Sequence, residues 1–326
     1  MYRYVLYGIF VLVLFIGGIF AFPYRGGLEE DVRALLDPEP RARLLFVGDM
    51  MFDRSIRAVA EERGGDFIFS CIADSLQKYD AVVGNLEGPI TNNPSVSKGS
   101  VIETPDNYTF TFPPETADLL VRHNIRVVNL GNNHMLNFGR EGLLETKRHL
   151  ERAGARYFGD PDAIESEKVA RITIRGVPFS FVNWSDWNSD PSTTSSQGSD
   201  GYGAGKTNHT VEQVKLEVGM GRVTIVYAHW GEEYVPVLPR VRALAHQFVD
   251  VGAAIVIGSH PHIVQEHEVY KGRDIYYSLG NFIFDQYFSE EVSHGLTLDV
   301  TFEGGVVRVK EILVELMRDR RTCLSS

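Results

Sequence analysis

The chain has 326 residues, 44% of them hydrophobic, which is enough to bury a large core in one or two domains. It carries 32 basic against 43 acidic residues, a formal net charge of −11, and this excludes the basic face that nucleic-acid binding needs. Its two cysteines, Cys71 and Cys323, are too few for a disulfide framework or a cysteine-based zinc site, and two free thiols are the favoured reading.

The N-terminus opens on a membrane-length segment. No charged residue occurs from Tyr4 to Phe22. At about 1.5 Å per residue such a stretch just spans a hydrocarbon core of ~30 Å. Arg3 precedes it and Glu29, Glu30 and Asp31 follow, a bias that places the N-terminus in the cytoplasm and the body outside. An uncleaved single-pass anchor is favoured over a cleaved signal peptide, and both export the rest of the chain. Residues 1–22 therefore read as anchor or signal segment, 23–42 as a proline-containing linker with a short helix over Leu28 to Leu36, 43–317 as one domain, and 318–326 as a tail.

From Leu44 onward apolar runs alternate with helical patterns, which argues for stacked βαβ units. Helices are expected from Ser55, over Phe69 to Tyr79, over Pro114 to His123, and over Arg140 to Ala153, the last closed by Gly154. Two strands, Val169 to Ile174 and Val177 to Val182, flank Arg175-Gly176. Ser185 to Gly205 is poor in apolar residues and reads as a long surface loop over the site. Helices over Val211 to Val218 and Val237 to Val251 follow, and Glu303-Gly304-Gly305 marks a closing hairpin.

Six short polar clusters each sit just past an apolar run. They are Gly48-Asp49, Gly84-Asn85-Leu86-Glu87, Gly131-Asn132-Asn133-His134, Ala228-His229-Trp230-Gly231-Glu232, Gly258-Ser259-His260-Pro261-His262 and Gly280-Asn281. The histidine pair is the most telling, because a turn after a buried strand aims two imidazoles at one point. Taken singly, each other cluster reads as well as a helix cap or a polar turn. Six in one domain, supplying Asp49, Glu87, Asn133, His229, His260 and His262 as metal ligands, point instead to a metallohydrolase. His134 and Glu232 are candidate proton-handling groups, and Arg54 a candidate anion clamp. Mixed nitrogen and oxygen ligands without cysteine suit one or two divalent ions such as Mn, Fe, Zn or Mg.

In this order the clusters resemble the capsule-synthesis CapA family, also called the poly-γ-glutamate capsule or PgsA family. The carrying segments include Gly48-Asp49-Met50-Met51, Asn85-Leu86-Glu87-Gly88-Pro89, Asn132-Asn133-His134, His229-Trp230-Gly231-Glu232-Glu233-Tyr234, His260-Pro261-His262 and Leu279-Gly280-Asn281-Phe282. That family in turn is similar to calcineurin-like metallophosphoesterases. The resemblance implies an α/β fold, a four-layer α/β/β/α sandwich behind an N-terminal transmembrane helix. It also implies polymer-synthase subunits and an anionic polymer as partners, and hydrolysis of a phosphoester or γ-glutamyl amide with His134 as proton donor. The alternatives are a phosphoesterase with no capsule role and a non-catalytic polymer-binding export subunit. Three departures stand out. Met51 replaces the histidine of the first motif, Glu87 replaces the bridging aspartate, and Asn137 replaces an aspartate beyond His134. The first leaves one metal position short of a ligand unless Glu232 or water fills it.

Overall fold

The strands that flank the clusters are buried on both faces, so alternate side chains enter two different cores. In the computed structural model, which describes residues 40–164, 168–187 and 204–325, β1 runs Arg41–Met50. Its Leu44 and Phe46 enter one core while Leu45 and Val47 enter another. Around it stand β2 (Ala81–Leu86), β3 (Ile125–Asn129) and β4 (Arg156–Phe158), all parallel to it. On its other side lie the antiparallel β12 (His294–Glu303), β13 (Val306–Leu316) and β14 (Thr322–Leu324). The short β11 (Asn281–Ile283) pairs parallel to the end of β1.

The second sheet has the order β5 (Ala170–Ile174), β6 (Val177–Ser185), β7 (Val223–His229), β8 (Ile255–Ser259), β10 (Arg273–Tyr276) and β9 (His267–Tyr270). Between the sheets Phe46, Val83 and Phe158 meet Phe179, Phe181, Tyr227 and Ile257. Helices cover the outer face of each sheet. On the first sit α1 (Arg54–Arg63), α2 (Asp66–Phe69), α3 (Ala73–Leu76), α4 (Glu115–Arg122) and α5 (Gly139–Ala153). On the second sit α6 (Ala204–Gly219) and α7 (Pro239–Asp250), through Val214, Val241, Leu244 and Phe248. A further short helix, α8 (Glu290–Ser293), leads into β12. The protein is thus a mixed α/β fold of two sheets with helices outside.

Two expectations change. The segment Phe69 to Tyr79 is two short helices rather than one, because residues 70–72 form a turn. That turn places Cys71 against β14, where it forms a disulfide with Cys323 across 252 residues of chain, with Cα atoms 4.9 Å apart. The cysteines are not free thiols, and the expected tail carries a sheet strand. Sequence spacing cannot show this, since the pairing depends on β14 docking beside β13. The expected anchor, the helix over Leu28 to Leu36 and most of the Ser185 to Gly205 loop lie outside the described residues. Among the described residues no helix is long and apolar enough to cross a membrane.

α6 is tied to the second sheet by a buried carboxylate. Glu217 has no exposed surface and accepts from Arg171 Nε at 3.1 Å, Ser180 Oγ at 2.6 Å and Gln213 Nε2 at 2.7 Å. Removing it takes this acceptor from the buried Ser180 hydroxyl and Gln213 amide as well as from Arg171. Glu217→Ala is expected to cost about 3 kcal/mol, measured as a lower urea midpoint at unchanged slope. A cost below about 1 kcal/mol would show that the network contributes no more than a surface pair.

Candidate metal centre

The site is built by strand register. At the end of the first sheet Asn281, Asp49, Asn85 and Asn129 stand side by side as successive Cα partners. At the end of the second, Ser185, His229 and Ser259 do the same. Apart from Asn281, which opens β11, both rows lie at the carboxyl ends of parallel strands, where open α/β sheets place their ligands. Two glycines make the approach possible. A Cβ on Gly48 would lie 1.9 Å from the carbonyl oxygen of Gly280, and one on Gly258 would lie 2.0 Å from that of Tyr277.

Asp49 is fully buried and accepts from Asn85 Nδ2 at 2.8 Å and from the amide of His260 at 3.0 Å. That second bond docks the histidine turn of one sheet onto the carboxylate of the other. His260 and His262 hold φ values of 98° and 58°, a region that favours glycine. Such backbone strain persists where surrounding contacts over-determine it. His262 Nδ1 meets Asn281 Oδ1 at 2.9 Å, and its Nε2 lies 3.6 Å from Glu87 Oε1. His229 Nε2 meets Asn133 Oδ1 at 2.8 Å, and its Nδ1 faces Ser259 Oγ at 3.0 Å.

Three sets of ligand atoms lie within 4.8 Å of one another: Glu87 with His229 and His260, Asp49 with Glu87 and His262, and Glu233 with His260 and His262. All six expected ligands therefore converge, Asn133 through its contact with His229. Glu232 does not: it is exposed and stands outside these groups, and its neighbour Glu233 enters in its place. Arg54 is only adjacent. Its guanidinium pairs with Asp285 and lies over the rings of Phe110 and Phe284, at 5.1 and 5.4 Å. Those rings pack in turn on His134 at 4.4 Å and His262 at 4.7 Å.

Asn85 is the central polar link that residue-type reasoning passed over. Its amide donates to both Asp49 and Glu87, at 2.8 and 3.3 Å, and its carbonyl accepts from Asn129 and Asn132 at 3.0 and 3.1 Å. The signal was an asparagine just past an apolar run, the same pattern that marked Asp49.

The donor set fits a divalent cation. Burial, and then the charge of Asp49, push the Glu87 carboxyl well above the usual carboxylate range. Burial, and then neighbouring histidines, hold His229 and His260 well below the usual imidazole value. Neutral imidazole is the form a metal ion binds, and the charge of a cation would draw the Glu87 carboxyl back to its ionised form. Glu87 Oε1 and His260 Nδ1 are buried and make no hydrogen bond, a costly state without a further partner.

His134 stands beside this cluster, with Nδ1 at 3.1 Å from Asn137 Oδ1 and Nε2 at 4.0 Å from Glu87 Oε1. Burial lowers it to about 4. Asn137 also accepts the amide of Phe110 at 2.8 Å, so it holds the ring rather than supplying charge.

The chain matches known proteins over this same region. The family described as bacterial capsule synthesis protein PGA_cap matches residues 43–286. The PGA biosynthesis protein CapA of Bacillus subtilis is 31% identical over 280 residues, which is 82% of this chain and 70% of that protein. The capsule biosynthesis protein CapA of Bacillus anthracis is 31% identical over 248 residues, 74% of this chain and 60% of its own length, so less than two thirds of that relative is spanned. A Staphylococcus aureus structure assigned as a 5′-nucleotidase aligns over 88% of this chain and 53% of its own, at 13% identity and a TM-score of 0.43, a likeness too distant to assign a fold. With a family match across three quarters of its length and the clusters of that match gathered at one buried centre, the chain belongs to the bacterial capsule synthesis protein PGA_cap family.

Proposed function

We propose that the protein is a membrane-anchored, extracytoplasmic metal-dependent hydrolase of capsule or poly-γ-glutamate synthesis, of the calcineurin-like metallophosphoesterase type. The observation that carries this reading is the buried meeting of Asp49, Glu87, His229, His260 and His262 from two sheets, with two of their polar atoms unpartnered. The uncharged stretch from Tyr4 to Phe22 supports the anchor, and the Cys71–Cys323 disulfide supports an oxidising compartment. The names of the Bacillus relatives support the capsule role.

Asp49, Glu87, Asn133, His229, His260 and His262 would hold the cation, which when bound supplies Lewis acidity and a more acidic water. The chain itself supplies orientation and proton handling. Asn85 fixes both carboxylates, and Asn281 fixes the His262 ring. His134 keeps its Nδ1 on Asn137 and turns Nε2 toward the Glu87 side. There it handles the proton of a leaving alcohol or amine. A negatively charged phosphoester arriving beside it would favour its protonated form.

The test is turnover by the purified full chain, stripped with EDTA and reloaded with Mn, Fe, Zn or Mg, on a phosphoester and on a γ-glutamyl amide. Metal-restored turnover of either is the expected result. Metal binding without turnover of any phosphoester or γ-glutamyl amide would leave the polymer-binding export role. The absence of bound metal would sink the hydrolase reading altogether.

A further inference from the structure

The position that carries a histidine in the phosphoesterase first motif is Met51 here. A thioether there is a soft, weak donor for the divalent ions named above. The Met51 side chain is fully buried, and its Sδ takes the amide of Asp53 at 2.9 Å. Asp49, Glu87 and His262 offer three protein ligands, and an ion that expands to five-coordinate has room for a fourth beside its water.

A carboxylate stands beside His262, one member of that set. One oxygen of Glu233 lies within 4.8 Å of ring nitrogens on both His260 and His262. Exposed carboxylates commonly sit near histidines without purpose, but this one is held. The Trp230 amide donates to Ser259 O at 3.2 Å and the Tyr234 amide to Pro261 O at 3.0 Å, so both ends of the short loop are pinned to the histidine turn. Gly231 at φ 87° and Tyr234 at φ 62° give the loop its reversal. Tyr234 is braced further. Its hydroxyl accepts from Gln286, whose Oε1 accepts from Asn281, the residue that meets His262 Nδ1. The two unpartnered atoms, His260 Nδ1 and Glu87 Oε1, belong to residues 4% and 0% exposed in this same cluster.

Resting on the metallohydrolase reading above, we propose that Glu233 is a metal ligand and that it fills the coordination place left open by Met51. The first motif and the His229 motif have then exchanged a ligand. The histidine is absent from the end of β1, and a carboxylate reaches the same centre from the loop after β7. The adjacent Glu232 takes no part.

Equilibrium titration of the EDTA-stripped full chain with Mn or Zn, with bound metal counted by elemental analysis, tests this without any activity assay. Two ions per chain are expected for the parent and for Glu232→Gln. One is expected for Glu233→Gln, or a second event weakened at least 30-fold. Glu233 is exposed, so the stripped variant is expected to melt with the parent. Two ions at parental affinity in Glu233→Gln would overturn the assignment, as would one ion in both parent and variant. An equal loss in Glu232→Gln would overturn it too, by showing an effect of net charge alone. No metal in the parent would remove this inference together with the hydrolase reading, whereas two ions in every protein would remove this inference and leave that reading standing.

Discussion

His260→Ala is expected to weaken metal binding at least about 100-fold and to lower metal-dependent turnover by about 10³-fold or more. His260 is shared by two of the three ligand sets, so its loss removes a donor from each. Losing only an outer-shell partner typically costs 10–100-fold in affinity, so losing the ligand itself sets the lower bound. A bound cation stabilises transition-state charge by several kcal/mol, which corresponds to about three decades in rate. Replacement of the exposed His209 on α6 is the control, and it should change neither quantity. The variant must also be shown to fold. In EDTA its unfolding should stay cooperative at a lower melting temperature, because alanine leaves a cavity where the buried ring packs on Trp187 and His229. Metal affinity within a few-fold of the parent would show that the histidine pair is structural.

The second large effect is on acid stability of the metal-stripped protein. His134, His229 and His260 all have folded-state values held below the ordinary 6.5, burial being the first cause in each. A depressed folded value means that the unfolded chain takes up protons first as the pH falls. The stability is therefore fully present above about 6.5 and is lost as pH drops through the folded values. For His134, lowered to about 4, the loss is about 3 kcal/mol by that pH. His229 and His260 add in the same direction. Glu87 works the other way, since its raised value makes the folded state gain as its carboxyl protonates. Three imidazoles against one carboxyl give a net fall. Urea midpoints of the EDTA-treated chain between pH 7 and pH 4 should decline steeply, and a flat profile would contradict the buried, neutral imidazoles. At pH 7 a saturating divalent ion, at 100 times its dissociation constant, should add about 2.7 kcal/mol.

Much of the centre was legible before any fold was known. An apolar run followed by a small residue, glycine or Ala228, and then Asp49, Asn133, His229 or His260 marks a buried strand and the residue at its end. That is local information, carried by a period of two and by side-chain chemistry. The strands at Leu44, Ala81, Arg126, Val223 and Ala253, the helix closed by Gly154 and the hairpin around Gly304-Gly305 follow from the same local rules. What did not follow was anything set by register or by the path of a loop. Asn85 became the link between Asp49 and Glu87 only because β1 and β2 align those residues as neighbours. Cys71 met Cys323 only because β14 joins the sheet edge.

The clearest case is the pair Glu232 and Glu233. The sequence by itself determined that a carboxylate follows the His229 strand, and that two histidines close the site. It does not distinguish adjacent carboxylates of equal chemistry. The tertiary structure decided between them, because the bond from the Tyr234 amide to Pro261 and the positive φ angles of Gly231 and Tyr234 set which carboxylate stands near His260 and His262. Residue type is written in the chain, but direction at a turn comes from contacts with a strand some 30 residues away, where Ser259 and Pro261 receive the two ends of that loop.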